Sequence, residues 1–232
     1  MSQNSASVDT CAYCGETGDL TGDHIPPKSV FPDDPKFRQQ LIKVPACFQC
    51  NRSFSDDDQY LHFVTASHVV TNMNPISASL HARAHRGMAR NRKIAQKSKF
   101  VGMMEAHTPD GSEQGSVPVV HVDHKALNRV MTRVVRGLYF HHFHQRVPDH
   151  LFVRCSGLSD PGLRDERIIV GYEMMLVPFK NPKVPDYDVG PGVFMYKYVG
   201  DQQRSAWLMA FYNGLEFIGS VGPNPTGGGA TD

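Results

Sequence analysis

Apolar positions recur most regularly between Leu127 and Leu138. Leu127, Val130, Met131, Val134, Val135 and Leu138 follow one another at alternating intervals of three and one, and Arg129, Arg133 and Arg136 fall between them. That period predicts an amphipathic helix whose apolar stripe is core, with Asp123 as its N-cap. A second helix is expected from the acidic cap Ser55-Asp-Asp-Asp58, running through Tyr60, Leu61, Phe63, Val64 and Val69 and stopping at Asn74-Pro75. Short apolar runs punctuated by Pro and Gly predict strands at Val117–Val122, Leu151–Cys155, Ile168–Pro178, Val193–Val199, Ala206–Tyr212 and Leu215–Ile218. Residues 105–116 read as a loop, and the small polar stretches 1–9 and 222–232 as disordered ends. The pattern is that of an α+β protein, with a mostly antiparallel sheet in a C-terminal domain over 117–221.

Residues 10–55 break this regularity. They are rich in Pro, Gly and Asp and show little period, so they cannot build much core by themselves. The same stretch holds four of the five cysteines, as the pairs Cys11-x-x-Cys14 and Cys47-x-x-Cys50. Each C-x-x-C turn presents two thiolates, and two such turns complete a tetrahedral shell around a structural zinc ion. The alternatives are a redox C-x-x-C or disulfides; neither pair sits in a βαβ pattern. Cys155, alone in a predicted strand, reads as a buried free thiol.

Composition narrows the class without naming it. The 232 residues are 40% hydrophobic and 20% charged, with a formal net charge of +1. No apolar run reaches membrane-spanning length and no leader-like segment opens the chain, so no membrane partner and a cytoplasmic location are expected. Charge is uneven, however. Residues 81–99 carry seven Lys or Arg and no acid, and Arg83, Arg86, Arg90, Lys93 and Lys97 recur at helical spacing. On one continuous helix these five cations would share a face fit to grip nucleic-acid phosphates, or would form an ordinary solvated face. The run Tyr139-Phe-His-His-Phe-His144 invites a metal reading, but no local Cys or carboxylate accompanies it, so it is not expected to bind metal.

The chemistry-bearing residues lie beside the cysteine pairs. Asp23 and His24 fall between them, and Asn51 directly follows the second. A metal would draw both segments together. Asp and Asn supply hard oxygen ligands for Mg²⁺ or Mn²⁺, and His is a base suited to activating water near neutral pH. In their order and adjacency, Cys11-x-x-Cys14, Asp23-His24 and Cys47-x-x-Cys50-Asn51 resemble the HNH (ββα-metal) endonucleases of the zinc-knuckle type. The resemblance is to phage Holliday-junction-resolving members and to bacterial stand-alone HNH proteins. It covers residues 11–61, and more loosely Arg136-Gly-Leu-Tyr139 and the rest.

The resemblance implies a zinc-stapled HNH module over 10–74, a basic helical segment over 75–104 and the C-terminal domain beyond. It makes His24 the general base, Asp23 and Asn51 the ligands of the catalytic cation, and the four cysteines structural. It implies a metal-dependent endonuclease acting on DNA with little sequence preference. The same residues would serve a ribonuclease, and an inactive zinc module that binds nucleic acid or protein is the reading from another class. Cutting both strands with one site per chain would call for a homodimer. One departure stands out: no Asn occurs between His24 and Cys50 to fill the place of the family's middle Asn.

Overall fold

The computed structural model describes residues 10–68, 71, 74–107, 111–158 and 173–224. The expected disordered N-terminus, Val69, residues 168–172 of one expected strand and residues 225–232 of the tail lie outside this set. An antiparallel hairpin of β1 (Leu20–Ile25) and β2 (Ile42–Cys47) opens the fold, with a one-turn helix α1 (Pro35–Arg38) in its long connection. Cys47 ends β2 and caps the short helix α2 (Phe48–Ser53), its Sγ accepting from the Cys50 N–H at 3.4 Å. Helix α3 (Ser55–Ser67) follows, and the acids Asp56, Asp57 and Asp58 fall in its first turn, where the helix dipole favours them.

The longest helix, α6 (His124–Phe143), is the one the apolar stripe predicts. Asp123 caps it by accepting from the Ala126 N–H, and His144 closes it in the left-handed conformation. The helix packs on a five-stranded antiparallel sheet of order β5-β9-β8-β7-β6, formed by Leu151–Gly157, Leu215–Pro223, Ser205–Phe211, Phe194–Gly200 and Tyr187–Val189. Strict alternation along β8 turns Ser205, Trp207, Met209 and Phe211 inward. The α+β class is as the pattern predicts. One hydrophobic cluster includes Ile25 and Val44 of the hairpin, Tyr60 and Leu61 of α3, Val135 and Leu138 of α6, and Trp207 and Phe217 of the sheet.

Several expectations fail, each for a local reason. Residues 105–116 are not one loop: β3 (Phe100–His107) and β4 (Glu113–Val120) form a separate antiparallel hairpin across them. Its mix of Gly, Met, Glu and Gln has weak β-propensity, so pairing is local and composition hides it. Phe100, Val101, Met103 and Met104 on it are exposed. The strand expected through Pro178 is replaced, where it can be described, by helical turns over 173–180, with Pro178 early in a 3₁₀ turn that needs no N–H there. Strand β9 runs to Pro223, so the tail begins later than residue 222.

The expected continuous basic helix is also interrupted. Asn91 ends α4 (Ala78–Arg90) and caps α5 (Arg92–Lys97), accepting from the Lys93 N–H, so the spacing of Arg83, Arg86, Arg90, Lys93 and Lys97 does not run along one helix.

Helix α6 lies against β1 at Gly137, where a Cβ would come within 2.5 Å of Ile25 Cγ1. Ile25 is fully buried, so it has little room to yield. Gly137→Ala, stabilising in an exposed helix, is therefore expected to destabilise this protein by about 1–3 kcal/mol through overpacking. Chemical denaturation measures it, and a gain in stability would show that the β1–α6 contact is loose.

Candidate functional site

The two cysteine turns meet at one end of the β1–β2 hairpin. The first is tightened by Gly15 N–H donating to Cys11 C=O at 2.9 Å and by Cys11 N–H donating to Glu16 C=O at 2.8 Å. Gly15 sits at φ +81°, a conformation that favours glycine. Ala12 N–H donates to Pro45 C=O at 2.8 Å, which ties this turn to β2. The second turn is the β2–α2 junction itself.

Together they bring the Sγ atoms of Cys11, Cys14, Cys47 and Cys50 within 4.8 Å of one another. Among the described residues, this is the one group of three or more His, Cys, Asp or Glu so placed. All four cysteines are free thiols, which sets the disulfide alternative aside. Zn–S bonds of about 2.3 Å in a tetrahedron put sulfurs about 3.8 Å apart; Cys14 Sγ and Cys47 Sγ are 3.7 Å apart. The donor set therefore fits a metal ion such as zinc. Burial raises the Cys11 thiol, but backbone N–H donors of Cys14, Cys47 and Tyr13 outweigh it and bring it down to about 7. Those donors would stabilise a metal-bound thiolate in the same way. Cys155 is buried in β5 and its pKa is raised by burial, as an inert thiol's would be.

Asp23 and His24 are consecutive on β1 and so point to opposite faces. Thr21 and Asp23 share one face. Asn51, on α2, donates from Nδ2 to Thr21 Oγ1 at 2.9 Å and so belongs to that side. His24 lies on the other, so the strand does not turn Asp23, His24 and Asn51 toward one common side.

Asp23 is 5% exposed and both its oxygens are engaged. Oδ2 accepts from Tyr13 OH at 2.5 Å and Oδ1 from Arg133 at 3.1 Å. Arg133 reaches across from α6, donates also to Asp58 Oδ1 at 2.9 Å, and stacks its guanidinium over the Phe54 ring at 4.7 Å. Burial pushes the Asp58 carboxyl up to about 6, against the opposing pull of Arg133. As found, Asp23 offers no free oxygen, so the expected Mg²⁺ or Mn²⁺ site does not fit this carboxylate unless Arg133 gives way.

His24 has a different neighbourhood. It is half-buried, directly across the strand pair from Lys43. Burial, then the charges of Lys43 and Lys28, lower its pKa; Asp23 opposes them and Arg38 adds a smaller push downward. Burial and these cations thus favour its neutral form.

Elsewhere the expected phosphate-binding cations are largely committed. Arg83 donates to the Ser29 and Phe31 carbonyls, Lys93 pairs with Asp56 at 2.6 Å, and Lys97 pairs with Asp57 at 3.2 Å. Arg86 and Arg90 are exposed. In the histidine run His141 and His144 are exposed, and His142 packs against the sheet. His142 Nε2 is 2.9 Å from Tyr196 OH, its ring lies among Tyr187, Tyr198 and Trp207, and burial drives its pKa down to about 4.

Nothing in the sequence marks Tyr13 or Lys43, and Asp58 and Arg133 stand there only as a helix-cap acid and a cation beside the apolar stripe. Arg133 carried a usable signal. It stands in the series Ala126, Val130, Arg133, Gly137, at intervals of four, three and four, which places a cation on a buried helix face.

Compared with family models, with curated proteins and with solved structures, the chain matches none. Among the described residues, no helix is long and apolar enough to cross a membrane.

Two outcomes follow from this geometry. Cys47→Ser removes a metal ligand while leaving a side chain that can still cap α2; purified variant is expected to lose its metal and to be cut by protease within residues 10–55, with metal analysis and limited proteolysis as the readouts. Undiminished metal content would remove Cys47 from the site. Arg133→Met leaves Asp23 and Asp58 buried with no cation and is expected to cost about 3–5 kcal/mol in denaturant titration. A loss below about 1 kcal/mol would show that water or another cation compensates them.

Proposed function

We propose that the protein is a nuclease of the HNH kind that hydrolyses DNA phosphodiester bonds with His24 as general base. The observation that carries this reading is His24 itself. It is held on the strand of a hairpin stapled by four cysteines, with Lys43 across from it and Lys28 close enough to feel its charge. A neutral imidazole among cations suits an anionic substrate that must be attacked by water. His24 would take the proton from the water as its oxygen bonds to phosphorus. The opposite P–O bond breaks and the leaving 3′ oxygen departs in line, while Lys43 and Lys28 offset charge on the phosphate. The order Asp23-His24, Cys47-x-x-Cys50-Asn51 supports the same reading. In the cysteine cluster a resident zinc ion would fix the hairpin and take no part in the reaction.

A second reading has a specific observation in its favour. Asp23, the family's charged cation ligand, is consumed by Tyr13 and Arg133. On that ground the chain would be a zinc module that binds nucleic acid without cutting it.

Plasmid nicking with Mg²⁺, with Mn²⁺ and with chelator separates the two, and a matched RNA tests the choice of substrate. His24→Ala is expected to reduce cleavage about 10²–10⁴-fold while DNA binding and metal content persist. Cleavage by His24→Ala at the parent rate would contradict the assignment, and an inactive parent that still binds DNA would favour the second reading.

A further inference from the structure

A cleft of ≈ 770 Å³ lies between the cysteine turns, the exposed side of α6 and strand β5. Its walls include Tyr13 and Phe54 from the N-terminal segment, Lys125, Asn128 and Arg136 from α6, and Arg154 from β5. His24 and Asn51 are not among its lining residues. We infer that this cleft is a binding site for a nucleotide phosphate, separate from His24.

Three properties point to that ligand. The first is charge. Arg129 is neutralised by Asp57, and Arg133 by Asp23 and Asp58. Lys125 and Arg136 have no carboxylate partner among the described residues, and Arg154 meets only the amide oxygen of Asn224, at 3.5 Å. Burial lowers the Arg136 pKa, as does the charge of Arg146. The charge of Asp149, itself paired with Arg146, opposes both without an ion pair to Arg136; a half-buried arginine with no carboxylate in contact favours an anion, and the guanidinium fork matches phosphate oxygens.

The second property is the aromatic wall. The Tyr13 and Phe54 rings, centroids 6.3 Å apart at 52°, give the cleft an apolar wall, with one face of Phe54 taken by the Arg133 guanidinium. The third is unmet hydrogen-bonding capacity. Asn128 Oδ1 and Arg133 Nε are buried atoms on cleft residues and have no hydrogen-bond partner; Arg133 is 2% exposed. One is an acceptor for a base N–H and the other a donor for an oxygen. The volume falls in the range of small-ligand sites, room for one or two nucleotides rather than a duplex. Free nucleotide and a single-stranded stretch of a longer nucleic acid share this chemistry. The site does not depend on hydrolysis: it stands if His24 proves inert.

The test is binding to the metal-loaded full chain, by calorimetry, of a nucleoside 5′-monophosphate, a short 5′-phosphorylated single-stranded oligonucleotide and inorganic phosphate. At least one nucleotide probe is expected to bind and inorganic phosphate to bind more weakly. Lys125→Ala with Arg136→Ala is expected to weaken nucleotide binding about tenfold or more, with metal content unchanged. His24→Ala is expected to bind as the parent does, so failure of the nuclease reading and failure of the cleft are read on different variants. Equal monophosphate and oligonucleotide affinity assigns a free nucleotide; much tighter oligonucleotide binding assigns a strand. Lys125→Glu, at an exposed position, carries the test should the double variant fold poorly. Absence of binding by both nucleotide probes, or affinity unchanged in these variants, would overturn the proposal.

Discussion

Four thiols within 4.8 Å of one another, none of them in a disulfide, are the constraint on which the N-terminal third depends. Residues 10–55 are rich in Pro, Gly and Asp, and a chain so rich in turns is hard to hold as a hairpin and a six-residue helix in one arrangement by burial alone. A metal ion on these four thiols would supply that restraint, on the order of 10 kcal/mol in small zinc modules. It would fix the end of β2, the start of α2 and the turn before β1 at one point. The positions of Asp23, His24 and Asn51 are consequences of it.

A second restraint holds this module to the rest of the protein. Arg133 lies 110 residues from Asp23 in sequence, yet its guanidinium joins Asp23 of β1 to Asp58 of α3 and covers Phe54. The contact of Gly137 with Ile25, one helical turn further on, brings α6 close enough for that reach. A buried ion pair of this kind adds little net stability over an apolar substitute, but breaking it is costly. Its effect is on specificity of arrangement: it fixes which side of β1 faces α6 and leaves His24 on the other. The family-like order of residues and the observed electrostatics therefore pull apart at Asp23. The carboxylate that would hold a cation in an HNH site serves here as the counter-ion of an arginine.

Where local pattern and tertiary demand agree, the sequence was legible. The α6 stripe, its Asp123 cap, and strands β5, β7, β8 and β9 were all readable, because periodicity and burial coincide there. The cysteine spacing picked out the four thiols that the fold brings within 4.8 Å of one another, for a chemical reason that does not depend on fold. Of the β3–β4 hairpin only the Val117–Val120 end of β4 was legible; β3 and the start of β4 were not, since their Gly, Met, Glu and Gln neither alternate cleanly nor favour strands. The spacing of the basic stripe assumes one helix, and Asn91 divides it; Arg83, Lys93 and Lys97 meet backbone carbonyls, Asp56 and Asp57, while Arg86 and Arg90 are exposed. Partnering across segments far apart in sequence, as in Tyr13–Asp23–Arg133–Asp58, leaves no mark in a window of a few residues. A cation on a buried face of α6 was the one visible sign of it.

The most direct test of this account is X-ray absorption at the zinc edge on protein purified without added metal. The account predicts about one zinc per chain with four sulfur neighbours near 2.3 Å and no nitrogen or oxygen in the inner shell. A shell containing nitrogen or oxygen, or metal-free protein that folds with the same β1–β2–α2 arrangement, would contradict it.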